Sequence, residues 1–274
     1  MGISALAPEP LSTFLKSSLP HFDPPEKWLD TPLEILSAGC GTGAEAISAA
    51  ITLKNANILA IDLCLTSLAY AKRMARELNV EQITFKQADI LGLGTLSRQF
   101  PVILSSGVLH HLENPIEGVR VLVDLLLPEG LLSIALYSAR ARRFITEARR
   151  FIAARTPQNT IEDIKRCRQE IIDSDEPFAR SLIGQYDFYS LSNCRDLIFH
   201  VSEHCFTIPE IQDLLSSVGL RFLGFSNLSP RTKSDYQKMF PEDSDLRDLN
   251  SWNQFEEAYP DTFIGMYDMW CQKI

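Results

Sequence analysis

Residues 34–45 read E-I-L-S-A-G-C-G-T-G-A-E, and this stretch decides the fold of the chain. An apolar run over 33–38 leads directly into Gly39, Gly41 and Gly43, and a helical pattern follows them. Three glycines within five residues cannot lie in the middle of a stable strand or helix. The stretch therefore predicts a strand, a glycine turn and a helix. In this arrangement the backbone approaches a ligand closely and the helix N–H groups point at it.

Strand patterns alternate with amphipathic helix patterns along most of the remaining chain. We predict strands over 33–38, 57–62, 83–88, 101–105, 130–137, 220–225 and 262–271, and helices over 42–53, 65–78, 115–127 and 207–218. Strands separated by helices of this length form a parallel sheet with helices on both faces. The expected fold class is therefore α/β, with a doubly wound, mostly parallel, seven-stranded sheet and a helical lid insertion.

Two segments interrupt the alternation, and we divide the chain accordingly. Residues 1–32 predict an N-terminal helical arm, and residues 33–137 predict the cofactor-binding core. Residues 138–206 have helix patterns and no strong strand pattern. Because an insertion after the fifth strand leaves the sheet at its carboxyl edge, we expect this segment to be a lid that selects the substrate. Residues 207–274 complete the core and carry a second, polar insertion at 229–261 around two aromatic residues.

The composition argues against several classes of protein. The chain has 274 residues, 45% of them hydrophobic and 22% charged, which is ordinary for a globular protein. A net charge of −9 disfavours general attraction to nucleic acids or membranes. The six cysteines are scattered without a C-x-x-C pair, which argues against a zinc ribbon and gives no sign of a disulfide framework. The sequence has no signal-peptide pattern and no apolar run near the ~20 residues that cross a bilayer, so we expect a soluble cytoplasmic protein.

Glycines and polar residues follow four predicted strands, at the edge where open parallel sheets bind ligands. The first strand ends at the glycines and the second at Asp62, whose carboxylate can accept two hydrogen bonds from ribose hydroxyls. The third ends at Asp89, placed to meet an adenine amino group while Ile90 packs on the ring. The fourth ends at S-S-G over 105–107 and is followed by V-L-H-H-L.

The four strand-end motifs, G-C-G-T-G, I-D-L, A-D-I and S-S-G-V-L-H-H-L, together resemble the class I (Rossmann-like) S-adenosylmethionine-dependent methyltransferases. The resemblance spans 33–137 and 207–274, and the last strand is expected to be antiparallel and inserted beside the sixth. Residues 194–207 are similar to the methyltransferase half of bacterial proteins that join tetratricopeptide repeats to a methyltransferase. No such repeats occur in this chain. A tetratricopeptide-repeat partner and a homodimer are therefore further expectations.

The resemblance implies which residues bind the cofactor, because each motif of the family has a matching position in this sequence. The glycines would face the methionine part of S-adenosylmethionine, the second strand end the ribose, the third the adenine, and the fourth the side of the methyl group. The implied cofactor-binding residues are Gly39, Cys40, Gly41, Gly43, Asp62, Leu63, Ala88, Asp89, Ile90, Ser105, Ser106 and Gly107. Many family members carry an acid two positions before the first glycine, near the cofactor's amino group, where this chain has Ser37. Glu34 or Glu45 could partly substitute for that acid.

The implied reaction transfers a methyl group from S-adenosylmethionine to an oxygen, nitrogen or carbon nucleophile of a small molecule or a protein side chain. The sulfonium makes the methyl group electrophilic, so the protein mainly aligns the nucleophile and excludes water. A base is needed only for a poorly acidic nucleophile. The candidate catalytic residues are His110, His111 and His204, and the candidate substrate-binding residues are Tyr137, Tyr186, Tyr189, His200 and His204. The fourth strand lacks an N-P-P-[YF] signature and a Pro-Cys nucleophile, so we expect no DNA substrate.

Simpler roles are open for two of these features. Paired histidines such as His110 and His111 are often packing and helix-capping residues. The arginine-rich helix predicted over 139–155 could bind an acidic substrate or partner. A solvated basic face with ordinary surface ion pairs is the expected interpretation for that helix.

Three other functions compete with the methyltransferase interpretation. The run G-x-G-x-x-A over 39–44 also fits the dinucleotide fingerprint of an NAD-dependent oxidoreductase, which leaves Asp89 and the paired histidines without a role. The run H-V-S-E-H over 200–204 matches a zinc peptidase pattern, but Pro209 closes the segment almost at once, so we expect no metal. A chain of this type can also bind the cofactor as a non-catalytic scaffold, and Ser37 gives that function some weight.

Overall fold

The computed structural model describes residues 8–19, 22, 24–25, 32–155, 160–199 and 203–274. A seven-stranded sheet in the order β3-β2-β1-β4-β5-β7-β6 forms the middle layer. Its strands are β1 (Leu33–Ala38), β2 (Ala56–Asp62), β3 (Ile83–Gln87), β4 (Phe100–Ser106), β5 (Leu126–Tyr137), β6 (Leu220–Phe225) and β7 (Met266–Lys273). The pairs among β1 to β5 are parallel, and β7 runs antiparallel to both β5 and β6. The predicted fold class and the place of the last strand are confirmed.

The register of the parallel strands brings four chain segments to one edge of the sheet. Ala38 lies beside Ile61, and Asp62 lies beside Gln87. On the other side of β1, Ser37 lies beside Leu104 near the end of β4. The residues that follow β1, β2, β3 and β4 therefore leave the sheet at the same edge, as the sequence predicts.

Helices cover both faces of the sheet. They are α1 (Leu11–Ser18), α2 (Ala44–Thr52), α3 (Leu65–Glu77), α4 (Pro115–Asp124), α5 (Arg143–Ala153), α6 (Ile161–Ile172), α7 (Pro177–Ile183), α8 (Leu191–Ile198), α9 (Ile208–Ser217), α10 (Pro230–Met239) and α11 (Leu249–Ala258). Successive strand residues point to opposite faces, so Ile35 packs with α1, α2 and α3, whereas Leu36 packs with α4, α9 and α11.

The start of α9 has a capping box at Thr207, where the predicted helix begins. The Thr207 hydroxyl accepts a hydrogen bond from the Glu210 N–H at 3.4 Å, and the Glu210 carboxylate accepts one from the Thr207 N–H at 2.7 Å. Pro209 occupies the first turn, where its missing N–H costs no helix hydrogen bond. Gly219 follows the helix with a φ of 70°. These contacts return the chain from the helical insertion to the sheet at a fixed position.

The structure moves three predicted boundaries. Two of them move because residues assigned to a helix pair with another segment of the chain. The helix over 115–127 ends at Asp124, because Leu126 already pairs with Phe100 across an irregularity in the β4–β5 register. The helix over 139–155 begins only at Arg143, because the Ala139 N–H donates to the Phe206 carbonyl at 2.8 Å. The strand predicted over 262–271 begins only at Met266, directly after Gly265, whose φ of 82° is not that of a strand.

The helical insertion between β5 and α9 has a core of its own. Helices α5 to α8 enclose a cluster of buried side chains that is separate from the two clusters on the sheet. The cluster contains Ile145, Ala148, Ile152, Ile164, Cys167, Ile171, Phe178, Ala179, Leu182, Phe188, Cys194, Leu197, Ile198 and Phe199. The insertion is therefore packed by its own apolar residues and can present one surface to the carboxyl edge.

The second insertion contributes aromatic residues to the main core. The rings of Tyr236 on α10 and Trp252 on α11 stack with their centres 3.9 Å apart. Trp252 and Phe255 are fully buried and pack with Phe225 of β6 in the cluster on that sheet face. The two aromatic residues around which the sequence predicts this insertion therefore face the sheet. None of the described helices is long and apolar enough to cross a lipid bilayer.

Candidate active site

The glycine turn after β1 leaves open space at the carboxyl edge. Gly39 has a φ of 75°, and a Cβ added there would lie 2.4 Å from Val108 Cγ2, so a side chain would collide with the loop after β4. Gly41 has a φ of 52°, and an added Cβ would have no atom within 4 Å. The first of these glycines permits close packing, and the second faces the volume in which a ligand can lie.

Asp62 is fixed at the end of β2 by the glycine turn itself. Its Oδ2 accepts a hydrogen bond from the Gly41 N–H at 2.7 Å, and its Oδ1 accepts one from the Cys64 N–H at 2.7 Å. Each carboxylate oxygen has a second lone pair, so the group can still accept from two ribose hydroxyls. Leu63, which follows Asp62, is 67% exposed and offers apolar surface beside it.

Cys40 lies in the glycine turn as a neutral thiol. Its side chain is buried, and its backbone N–H donates to the Ile61 carbonyl at 2.8 Å. Burial first, and then the nearby Asp62 charge, raises the pKa of the Cys40 thiol to about 12. The residue therefore contributes backbone position and packing to the turn, without a thiolate nucleophile.

Asp89 occupies the corresponding position after β3. Its Oδ1 accepts a hydrogen bond from the Leu91 N–H at 3.0 Å at the start of a short 3₁₀ turn, Ile90–Thr95. The neighbouring Ala88 N–H donates to the Asp62 carbonyl at 3.2 Å, which couples the two strand ends. Ile90 points into the core of the sheet, whereas Leu91 is 41% exposed. The contact of Ile90 with an adenine ring stays a prediction.

The polar residues at the end of β4 have two roles: one stabilises the sheet, and the others face the candidate site. The buried Ser105 hydroxyl donates to the Ala38 carbonyl at 3.1 Å and ties β4 to β1. The Ser106 hydroxyl donates to Glu45 Oε1 at 2.6 Å. Gly107 has a φ of 74°, and an added Cβ there would meet no atom within 4 Å. Ser106 and Gly107 therefore face the edge, and Ser105 stabilises the sheet behind them.

Glu34 and Glu45, the two acids that could substitute for the acid missing at Ser37, lie at opposite edges of the sheet. Glu34 accepts a hydrogen bond from Asn57 Nδ2 at 2.9 Å and pairs with Arg98, near the amino end of β1. The expectation that Glu34 substitutes for the missing acid is therefore wrong, because it lies at the opposite edge of the sheet. Glu45 lies in the first turn of α2, at the carboxyl edge.

An aromatic stack stands beside the cofactor edge, where β4 and β5 end. The rings of His110 and Tyr137 lie 3.6 Å apart, and the Arg142 guanidinium also lies 3.6 Å from the Tyr137 ring centre. At these distances the two groups must occupy opposite faces of the tyrosine. His111 meets His110 edge-on with a centre-to-centre distance of 4.4 Å. His110 is fully buried and His111 is partly exposed, so His110 has a packing role.

Buried charges lie behind this stack and were missed by the sequence analysis. Arg142 binds Glu203 through two hydrogen bonds, both of 2.9 Å, and Arg149 reaches the same carboxylate at 2.8 Å. The Glu203 side chain is only 3% exposed. The interpretation of the arginine helix as a solvated basic face is therefore wrong for Arg142 and Arg149. The only sign of this network in the sequence was Glu203, an acid shortly before Thr207. Its partners, Arg142 and Arg149, lie far away in the sequence.

Tyr137 links the stack to this ion-pair network. Burial raises the pKa of the Tyr137 hydroxyl, the Arg142 charge opposes that rise, and the Glu203 charge adds to it. The hydroxyl is therefore protonated at neutral pH. The His204 N–H donates to the His110 carbonyl at 2.8 Å, so the segment before α9 is attached to the same stack.

The remaining candidate substrate residues lie elsewhere on the insertion or outside the described residues. Tyr186 is 87% exposed on a short 3₁₀ turn, Tyr186–Phe188. Tyr189 is 55% exposed, and its hydroxyl donates to the Ile183 carbonyl at 2.8 Å. His200 lies outside the described residues. The structure thus brings together His110, His111, Tyr137 and the backbone of His204, and places the other two tyrosines on the helical insertion.

Comparison with known proteins identifies the family. A family model described as a methyltransferase domain matches residues 29–213. The chain belongs to this methyltransferase family. An uncharacterized protein of Synechococcus sp. is 30% identical over 233 residues, which cover 81% of this chain and 55% of that protein. A ubiquinone biosynthesis O-methyltransferase of Rickettsia bellii is 28% identical over 130 residues, which cover 47% of this chain and 52% of that protein.

Structural comparison supports the fold. PKMT2 from Rickettsia typhi, in a complex with S-adenosylhomocysteine, has a TM-score of 0.67 at 17% identity over 96% of this chain and 53% of that chain. The chain spans about half the length of the relatives it matches. The narrower resemblance to tetratricopeptide-repeat methyltransferases stays a prediction.

The strand edge of this methyltransferase fits S-adenosylmethionine, the cofactor of its class. The open space at Gly41 lies where a side chain would otherwise project, and Asp62 stands beside it with lone pairs to spare. The family match decides between the two cofactors that the glycine pattern allows, in favour of S-adenosylmethionine over NAD. In the zinc interpretation Glu203 would be the general base beside two histidine ligands, but its carboxylate is bound by two guanidinium groups. Within the described ranges, no cluster of His, Cys, Asp or Glu could hold a metal ion.

Proposed function

We propose that this domain transfers a methyl group from S-adenosylmethionine to a nucleophile bound between the carboxyl edge of the sheet and the helical insertion. The observation that carries the proposal is the gathering of the four strand ends at one edge, with the His110–Tyr137 stack next to them. The strand ends supply the cofactor side of the site. The stack and the segment before α9 supply the acceptor side.

Each strand end has a distinct task in holding the cofactor. Asp62 is oriented by two backbone N–H groups and receives the ribose hydroxyls. Asp89, held by the Leu91 N–H, receives the adenine amino group. The glycine turn and the N-terminus of α2 receive the methionine part. When bound, the cofactor supplies an electrophilic methyl group on its sulfonium, so the protein needs to align the acceptor and exclude water.

The acceptor side assigns different roles to the two neighbouring histidines. His110 is buried and stacked on Tyr137, so it positions the aromatic wall. His111 is partly exposed next to it and is the better placed of the two to receive a proton from an acidic acceptor. The name of the Rickettsia bellii relative gives an oxygen as its acceptor atom. We propose an oxygen or nitrogen nucleophile of a small molecule or protein side chain for the present domain.

Calorimetry tests the cofactor side of this proposal directly. The protein is titrated with S-adenosylmethionine, S-adenosylhomocysteine and NAD in parallel. We expect at least micromolar affinity for the first two ligands and no heat with NAD. Tight NAD binding without heat from the other two ligands would contradict the proposal.

A second function, binding of the cofactor without catalysis, is favoured by one observation. Ser37 stands where an acid is common in the family, and its buried hydroxyl has no hydrogen-bond partner among the described residues. Measurement of S-adenosylhomocysteine release with a panel of candidate acceptors separates the two functions. Multiple turnovers with any acceptor establish the enzyme, whereas binding without release across the panel favours the scaffold.

A further inference from the structure

A cavity of about 370 Å³ lies between the sheet and helices α1 and α2. Polar residues line it on a sheet face that is otherwise apolar. The register places Ser133 of β5 beside Trp270 of β7, and Ala135 beside Asp268 two residues further along. Ser106 of β4 and Glu45 of α2 complete the polar lining at the carboxyl edge.

Two carboxylates face this cavity, and no described residue of its lining is basic. Glu45 accepts a hydrogen bond from the Ser106 hydroxyl at 2.6 Å, and Asp268 accepts one from Asn227 Nδ2 at 2.7 Å. Among the described residues that line the cavity there is no lysine or arginine. Burial raises the pKa of both carboxyl groups, and the Asp268 charge contributes to the rise at Glu45. This cavity, called the polar recess below, therefore favours a cationic group.

Buried hydroxyls on the same sheet face support a polar occupant. Ser37 is completely buried, its hydroxyl has no hydrogen-bond partner among the described residues, and its β4 neighbour Leu104 lines the cavity. Ser133 lines the cavity as well and is 8% exposed. A buried hydroxyl without a partner, close to two acids on an apolar face, is costly unless a polar ligand binds nearby.

Glu45 is placed between this recess and the methionine part of the cofactor. It lies in the first turn of α2, two residues after Gly43, and its partner Ser106 immediately precedes Gly107. The Glu45–Ser106 hydrogen bond therefore bridges the glycine turn and the end of β4. A cofactor bound across the turn would have its amino acid end near this bridge.

We propose that Glu45 binds the α-ammonium group of the cofactor's methionine part and replaces the acid that is absent at Ser37. The inference rests on the proposed binding of S-adenosylmethionine. Ser106 orients the carboxylate, and Asp268 adds negative potential behind it. A charge-assisted hydrogen bond of this kind contributes about a 10- to 100-fold gain in affinity.

Two ligands that differ at the amino acid end test the assignment. S-adenosylhomocysteine carries the ammonium group, and 5′-methylthioadenosine has the same nucleoside without the amino acid. Binding of each is measured by calorimetry with the wild-type protein and with Glu45→Gln, which keeps an oxygen for the Ser106 hydroxyl. We expect Glu45→Gln to weaken S-adenosylhomocysteine about 10- to 100-fold. The affinity for 5′-methylthioadenosine should stay within about twofold, because that ligand has no group for Glu45 to bind.

Glu34→Gln is the matched control, since it removes the same charge from the opposite edge of the sheet. It should leave the affinities for both ligands unchanged, and thermal melts establish that both variants are folded. An equal loss of both ligands in Glu45→Gln, or no loss of either, would overturn the role of Glu45. A wild-type protein that binds neither ligand would instead contradict the proposed function, so the two failures are distinguishable.

Discussion

Arg142 and Glu203 form a buried, two-pronged ion pair, with Nε and Nη2 each 2.9 Å from a carboxylate oxygen. Their side chains are only 7% and 3% exposed. The same guanidinium lies over the ring of Tyr137 at the end of β5. One arginine therefore attaches the segment before α9 to the aromatic wall of the proposed acceptor site.

Removing the charge of Glu203 should destabilise the protein strongly. In Glu203→Gln the buried Arg142 loses its counter-charge, and Arg149 loses this ion pair as well. Breaking one side of a buried ion pair costs about 3–5 kcal/mol, because the remaining charge stays desolvated. Urea unfolding should therefore show a lower midpoint with a loss of free energy of unfolding near this range.

Asp261→Asn supplies the control, because Asp261 pairs with Arg143, the neighbour of Arg142 at the start of α5. Asp261 is 87% exposed and pairs with Arg143 at 3.0 Å, so its removal should cost about 0–1 kcal/mol. If both variants unfold at the same urea concentration, the Arg142–Glu203 pair does not stabilise the fold in the way argued.

The cofactor edge was predictable because each of its parts follows from local rules. A glycine turn after an apolar run must end a strand, and the parallel register then brings Asp62 to the same edge as Gly41. The register itself follows from the alternation of strand and helix patterns. No long-range pairing of side chains had to be known.

The acceptor side was less predictable because it depends on pairs distant in sequence. Arg142 and Glu203 are separated by 61 residues, and nothing in the helix pattern distinguishes Arg142 from its exposed neighbours. The polar recess escaped prediction for the same reason, since Asp268 reaches Glu45 only through the insertion of β7 beside β5. Burial of a charged side chain is a tertiary property, which periodicity alone does not reveal.

Asp62→Ala should weaken the binding of S-adenosylhomocysteine. Both carboxylate oxygens of Asp62 are oriented by backbone N–H groups, so the side chain is preorganised to accept the ribose hydroxyls. Loss of hydrogen bonds to a charged group costs about 1.5–3 kcal/mol, which calorimetry can resolve. Because the change also frees the Gly41 N–H, a melting curve must show that the variant is folded. Unchanged affinity in a folded variant would place the ribose elsewhere.

Tyr137 and Tyr186 should differ in their effect on turnover. Tyr137 is stacked between His110 and Arg142 at the strand edge, whereas Tyr186 is almost fully exposed on the insertion. With an acceptor found by screening, Tyr137→Ala should lower kcat/KM about 100-fold or more by misplacing the acceptor. Tyr186→Ala should change kcat/KM by less than about threefold, and cofactor affinity should stay within about twofold in both. The opposite ranking would move the acceptor site to the outer surface of the insertion.

The buried carboxyl of Glu45 gives cofactor binding a defined dependence on pH. Burial raises its pKa, the Asp268 charge on β7 raises it further, and the Ser106 hydroxyl on β4 lowers it. The Cys40 thiol of the glycine turn has a pKa of about 12 and stays neutral in this range. An ammonium group binds the ionised carboxylate more tightly than the protonated form, so ligand binding lowers this pKa and releases a proton.

The affinity for S-adenosylhomocysteine should therefore fall as the pH drops through the pKa of Glu45 in the free protein. Because that pKa is raised, the fall should begin at a higher pH than the usual glutamate value of about 4.3 would give. Calorimetry between neutral and mildly acidic pH, in two buffers of different ionisation enthalpy, measures both the affinity and the released proton. Glu45→Gln should have a flatter profile and release fewer protons, while Glu34→Gln should follow the wild type. Identical profiles for the wild type and Glu45→Gln would mean that another group controls the pH dependence and that the ammonium lies away from Glu45.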